Sequence, residues 1–153
     1  MRIRAARGEE AGVLTELALR SKAHWGYDDV FMEMCREELT VQAAEVERQR
    51  TVVAEREGRV VGFATLEGEP PGVGELGGLF VDPAAIGQGV GRLLFEHTLA
   101  TARELGFTRL TLDADPNAEG FYRVMGASRV GMAPSGSIPG REVPVMAISL
   151  EGR

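Results

Sequence analysis

The segment with the most chemistry in it is Gly87-Gln88-Gly89-Val90-Gly91-Arg92, which leads into a one-sided apolar run of Val90, Leu93, Leu94, His97, Thr101 and Leu105. That run reads as a helix, with Gly106 as its terminator. A helix start leaves several backbone N–H groups unpaired, and the helix dipole adds about half a positive charge there. Glycines let an anion come close to those groups, so the segment suits a phosphate or pyrophosphate. A glycine-rich turn that merely packs the helix tightly accounts for the same residues. Two well-known phosphate loops fail. A Walker loop ends in Gly-Lys-Ser/Thr, whereas Gly91 is followed by Arg92 and Leu93. A Rossmann fingerprint needs a further glycine where Arg92 and Leu94 stand, and it comes directly off a strand, whereas Asp82 to Ile86 intervenes here.

These residues need a scaffold, and the elements can be read along the chain. Met1 to Ala6 suggests a short strand, and Glu9 to Arg20 a helix with Val13, Leu14, Leu17 and Ala18 on one face. A polar-aromatic stretch from Ser21 to Asp29 precedes a second helix from Val30 to Leu39. Thr51–Glu55 and Arg59–Leu66 are β-branched-rich and separated by a tight turn, which predicts a hairpin. Glu75 to Val81 is a fourth strand, and its Gly77-Gly78 marks either a bulge or a close backbone approach by a ligand. Thr108 to Ala114 is a fifth strand, after which Asp115 (N-cap) and Pro116 (N1) open a helix to Met125, stopped by Gly126. A strand at Ser128–Gly131, a loop from Met132 to Arg141 and a strand at Val143–Leu150 complete the order. The pattern is an α/β mixture in one domain, residues 1–153, with antiparallel hairpins first and then a crossover helix between parallel strands.

Composition narrows the function classes. The chain has 153 residues, 44% hydrophobic and 26% charged, which is ordinary for a soluble fold and excludes disorder as the main state. Net charge is −6 and there is no basic block, so no nucleic-acid partner is expected. No apolar run approaches 18 residues and the amino terminus lacks a signal-like stretch, so no membrane is expected and the cytoplasm is the expected location. One cysteine, Cys35, reads as a small buried hydrophobe, and no Cys/His cluster suggests a metal. His97, on the apolar helix face, reads as a buried histidine.

Leu79-Phe80-Val81-Asp82-Pro83 followed by Gly87-Gln88-Gly89-Val90-Gly91-Arg92 resembles the acetyl-CoA motif of the GNAT superfamily of acyl-CoA-dependent N-acetyltransferases. Asp115-Pro116-Asn117-Ala118-Glu119-Gly120-Phe121-Tyr122, closing with Met125-Gly126-Ala127, resembles a second part of that pattern. Ile86 departs from it, standing where the family usually has Gln or Arg, which removes a side-chain contact to phosphate. The resemblance implies a mostly antiparallel central sheet with a splayed parallel pair and helices on both faces. It implies acetyl-CoA as co-substrate and a small-molecule or peptide amine as acceptor, with transfer by direct attack in a ternary complex. The pantetheine arm would run along Leu79, Phe80 and Val81, with Asn117 hydrogen-bonding it.

Tyr122 corresponds to the family's donor of a proton to the leaving thiolate, and Glu75 to a base. Packing for Tyr122 and a solvated strand-start carboxylate for Glu75 are the competing readings. His24, Trp25 and Tyr27 fall where the family builds its acceptor pocket, and Arg141 in the late loop is an opposite wall free to meet a carboxylate. Core packing and an ordinary hairpin loop compete for these. A homodimer is common among such relatives. The alternative function is a non-catalytic acyl-CoA-binding regulatory module on the same fold.

Overall fold

The structure is a computed structural model and describes residues 1–151. The elements, in order, are β1 (Arg2–Ala5), α1 (Ala11–Ala23), α2 (Asp29–Leu39), β2 (Val52–Arg56), β3 (Arg59–Glu67), β4 (Gly72–Val81), α3 (Val90–Leu105), β5 (Phe107–Asp113), α4 (Glu119–Val124), β6 (Ser128–Pro134) and β7 (Glu142–Ser149). All seven strands form one sheet in the order β1-β2-β3-β4-β5-β7-β6. Among the described residues, only β4 and β5 run parallel; every other neighbouring pair is antiparallel. The expected mostly antiparallel sheet with one parallel pair is therefore present.

The sheet has an apolar layer on each side. Leu14, Leu17 and Ala18 of α1 pack with Val53 and Phe63, while Leu94, Phe95, Leu99 and Ala102 of α3 pack with Leu66, Leu76, Leu110 and Leu112. Full burial of a leucine or phenylalanine contributes ~1.5–3 kcal/mol. Leu94 and Phe95, both 0% exposed, thus fix the rotation of α3 and the direction its first turn faces. Gly62 on β3 sets how close α3 comes. A Cβ there would lie 2.8 Å from Val90 Cγ1, 2.9 Å from the Phe80 carbonyl oxygen and 3.0 Å from Leu94 Cδ1. Cys35 is buried, as expected.

Several details differ from the sequence reading. β4 begins at Gly72 rather than Glu75, because Gly72 is already paired with Phe107. α1 continues to Ala23, because its backbone bonding runs on through His24 N–H to Arg20 C=O at 3.1 Å. The helix after β5 begins as a 3₁₀ turn, Pro116–Ala118, since Asp115 caps the Asn117 N–H only two residues on, and α4 proper is six residues. β6 runs to Pro134 because its ladder with β7 persists to Pro134 opposite Glu142. His97 is half-buried rather than buried: it lines an open hollow between α3 and the β1–β3 strands, shared with Ala6, Val52 and Thr101.

Candidate active site

β4 and β5 pair only at one end, from Gly72 opposite Phe107 to Glu75 opposite Thr111. Beyond Glu75 the two strands part, although β4 continues to Val81 and stays paired with β3. The parting leaves the β5-side backbone edge of β4 open to a ligand. A bulge coincides with it: Thr65 faces Gly78 and Leu66 faces Leu76, so Gly77 is the extra residue. The doublet Gly77-Gly78 thus does mark a bulge.

A cleft of about 650 Å³ occupies the opening and runs along Leu76–Val81 to the glycine segment. Gly87 and Gly89 have φ of +84° and +83°, a conformation side-chain-bearing residues rarely adopt. The first internal bond of α3 is Leu93 N–H to Gly89 C=O at 3.0 Å, which leaves the N–H groups of Val90, Gly91 and Arg92 without a helical partner. Ile86, Gly87, Gly89, Val90, Gly91 and Arg92 line the cleft; Gln88 does not, its N–H being turned to Ala85 C=O at 3.3 Å. Arg92 is solvent-facing, 3.7 Å from Glu96. Here the cleft offers an anion unpaired amides, the dipole of a 16-residue helix and one cation.

Tyr122 lines the same cleft, on the first turns after the parting. Its ring is buried edge-on against Phe95 at 5.6 Å and Phe121 at 5.1 Å. Burial, with the Asp115 carboxylate adding to it, pushes the phenol well above its ordinary range, so the hydroxyl stays protonated at neutral pH. Leu79, Phe80, Val81 and Asn117 are also in the lining. Glu75 is not: its side chain is exposed beside the paired end of the ladder. Its carboxyl is nonetheless partly shielded from water, and that shielding, then the charges of Glu67 and Asp113, pushes its pKa up.

On the α1–α2 side, His24 and Trp25 line the cleft and are exposed, Trp25 at 46%. Tyr27 and Arg141 sit outside the lining, in a knot of side chains. The Tyr27 hydroxyl donates to Asp115 Oδ2 at 2.9 Å and accepts from Arg141 Nη2 at 2.7 Å and Asn117 Nδ2 at 3.0 Å. Lys22 Nζ reaches Asp115 Oδ2 at 3.1 Å, and the Tyr27 ring stacks on Phe31 at 4.0 Å. Burial alone would raise Asp115; the Asn117 N–H, the Lys22 ammonium and the Tyr27 hydroxyl outweigh it and hold the carboxyl below its usual range. Arg141 thus has a carboxylate within its own chain, 3.9 Å away.

Sequence reasoning gave Asp115 only a capping role and passed over Lys22, Thr65 and Glu67, all in the cleft lining. The signal for Thr65 and Glu67 was the polar-apolar-polar alternation around Leu66 at the end of a strand opposite Gly77-Gly78. Among the described residues, no group of three or more His, Cys, Asp or Glu is placed to hold a metal, and no helix is long and apolar enough to cross a membrane.

A mixed sheet whose single parallel pair opens beside the unpaired amides of a glycine-led helix is the architecture of the acyl-CoA N-acyltransferases. The chain belongs to the Acetyltransferase (GNAT) family, whose pattern matches residues 15–127. It is 39% identical over 71 residues to peptidyl-lysine N-acetyltransferase YjaB of Salmonella typhimurium, a match covering 46% of this chain and 44% of that one. The matched region is thus under half the length of that relative. A GCN5-related N-acetyltransferase from Rhodopseudomonas palustris has a similar structure, with TM-score 0.82 and 27% identity over 97% of this chain and 94% of that one. PaiA N-acetyltransferase from Thermoplasma acidophilum, solved with coenzyme A, shares the fold at TM-score 0.80 and 18% identity, with 97% and 98% of the two chains covered.

Proposed function

We propose that the protein transfers an acetyl group from acetyl-CoA to a primary amine of a small-molecule or peptide acceptor, by direct attack in a ternary complex. The observation that carries this reading is the parting of β4 from β5 directly beside the unpaired amides of α3. An extended amide-bearing arm fits the open edge of β4, and a pyrophosphate fits the amides of Val90, Gly91 and Arg92. Bound acetyl-CoA supplies an acyl carbon activated as a thioester.

The chain's own residues then have three tasks. The open edge of β4 at Leu79–Val81 fixes the arm, and Asn117 at the cleft rim keeps its amide oxygen free to receive a hydrogen bond while Nδ2 is held by Tyr27 and Asp115. Tyr122, protonated at neutral pH, gives its proton to the departing sulfur as the carbon–sulfur bond breaks. His24 and Trp25 wall the side from which the amine enters. YjaB is named for peptidyl-lysine acetylation, and an exposed, solvent-facing entrance accommodates a lysine side chain as readily as a free amine.

The test is thiol release from acetyl-CoA with a panel of alkylamines, amino acids and lysine-containing peptides, read beside the melting temperature with and without CoA. Amine-dependent release supports the proposal. A CoA-dependent rise in melting temperature with release at background for every amine would instead indicate a non-catalytic binder.

A further inference from the structure

The end of β3 brings unpaired polar groups to the mouth of the parting. Glu67 stands opposite Glu75 across the β3–β4 ladder, and Glu75 stands opposite Thr111 on β5. Leu66, Leu76, Leu110 and Leu112 all turn into the α3-side core. By alternation, Thr65, Glu67, Glu75 and Asp113 belong to the opposite face, the one that α1 and α2 cover. Gly77 decides how two of them lean. A side chain there would sit on the Glu67 carboxylate oxygen and come within 2.6 Å of Thr65 Oγ1. With no Cβ at the bulge, both groups can hang over the strand into the cleft, which both line.

Neither group is used by the fold. Thr65 is 8% exposed, and its Oγ1 has no hydrogen-bond partner among the described residues. The Glu67 carboxylate has no ion pair among them either; Arg48, the cation that feels its charge, is held by Glu45. A hydroxyl buried this deeply is normally satisfied, so an unsatisfied one aimed into a cleft marks the position of a ligand atom. The surrounding carboxylates, Glu67 and Asp113 in the cleft lining with Glu75 beside them, make that ligand a cation, and among the described residues no group of them could hold a metal ion. An ammonium, with three N–H donors of its own, matches a carboxylate and a hydroxyl set side by side.

We propose that Glu67, and not Glu75, receives the proton of the acceptor's ammonium group, and that the Thr65 hydroxyl accepts a hydrogen bond from the same nitrogen. The inference rests on the acetyl-transfer reading above and assigns the acceptor as an alkylammonium that arrives charged. The ammonium loses one proton to Glu67, and the freed nitrogen lone pair forms the bond to the thioester carbonyl carbon. The carbon–sulfur bond then breaks with its electron pair on sulfur, and Tyr122 protonates the sulfur. The second nitrogen proton restores Tyr122 through solvent, and Glu67 releases its proton to water. Overall an ammonium and a thioester become an amide, a thiol and one free proton. Thr65 is a positioning residue: its hydroxyl sets the nitrogen over Glu67.

The test compares two acceptors in the thiol-release assay at pH 7: the best alkylamine of the panel, nearly all ammonium, and a hydrazide, already neutral. In Glu67→Gln, turnover with the alkylamine should fall on the order of 10²–10⁴-fold, while the hydrazide should lose less than about tenfold. Glu75→Gln should lose less than Glu67→Gln. Gly77→Ala keeps both carboxylates but displaces the end of the Glu67 side chain and crowds the buried Thr65, so it should reproduce the alkylamine defect, with a lower melting temperature but an undiminished rise on adding CoA. Thr65→Val should raise the Michaelis constant for the alkylamine without lowering the melting temperature. Full alkylamine turnover in Glu67→Gln, a larger loss in Glu75→Gln, or equal losses with both acceptors would overturn the assignment. A wild-type protein that acetylates no amine would overturn the acetyl-transfer reading itself, which separates the two failures.

Discussion

Replacing Tyr27 by phenylalanine removes one oxygen and leaves the ring stacked on Phe31 at 4.0 Å. That oxygen serves Asp115 at 2.9 Å, Arg141 at 2.7 Å and Asn117 at 3.0 Å. A hydrogen bond to a charged partner contributes ~1.5–3 kcal/mol net, and two of the three partners are charged. The two do not add fully. Asp115 keeps Lys22 and the Asn117 N–H, and Arg141 at 3.9 Å can close on Asp115 once the hydroxyl is gone. The expected loss is therefore that of a single charged bond, ~1.5–3 kcal/mol, or roughly 3–12 °C in Tm at ~2–4 °C per kcal/mol for a domain of this size. Differential scanning fluorimetry at pH 7 reads it directly. The pH dependence sharpens the test. Asp115 is held below its usual range when folded, so its contribution is fully present above the ordinary carboxylate pKa of ~3.9 and is lost as pH falls through the lower folded value. The gap in Tm between wild type and Tyr27→Phe should accordingly narrow below about pH 4. A Tm unchanged at pH 7, or a gap that widens in acid, would refute the account of the knot.

In Gly89→Asp, the rise in Tm on adding CoA should largely vanish, because φ of +83° strains any side chain and a carboxylate would fill the anion site; a retained shift would mean the anion binds elsewhere. Tyr122→Phe should lower turnover by ~10²-fold or more, with little change in CoA-induced stabilisation; full turnover where chemistry limits the rate would return Tyr122 to packing. Gly62→Ala should cost ~1–3 kcal/mol through overpacking against Val90, Leu94 and the Phe80 carbonyl, seen as a lower urea midpoint with an unchanged slope.

What could be read from sequence was what depends on local backbone chemistry. Gly87 and Gly89 announced a glycine-rich turn before a helix, and Gly77-Gly78 a bulge or a close backbone approach; the structure gives the first two left-handed backbones and the second a bulge with no room for a Cβ at Gly77. Asp115-Pro116 announced a capped start because a short carboxylate accepts from the N–H just beyond it and proline fixes the first φ. What could not be read depends on which strands neighbour one another. Glu75 and Glu67 are equivalent as sequence, each an acidic residue in an alternating strand, and the ladder register sets them side by side; only the space over Gly77 separates them, with Glu67 in the cleft lining and Glu75 outside it. Asn117 lies 90 positions and Arg141 114 positions from Tyr27, and nothing local in any of them signals that they meet on one oxygen.

The cleft is a gap between two strands of the central sheet, and this sets how it responds to heat. A site carried on a mobile loop can melt by itself while the body of the protein persists. Here the walls are β4 and β5, whose other faces hold Leu76, Leu110 and Leu112 in the core. No motion short of dissolving that core can widen the gap, so the half of the site beside β4 has no stability of its own separate from the whole. On heating, capacity to hold CoA and the global unfolding signal should therefore disappear together, at one temperature. The segment around Trp25, exposed and tied down chiefly through Lys22 and Tyr27, has its own weaker anchorage and should loosen first, making acceptor selectivity the earliest casualty of warming.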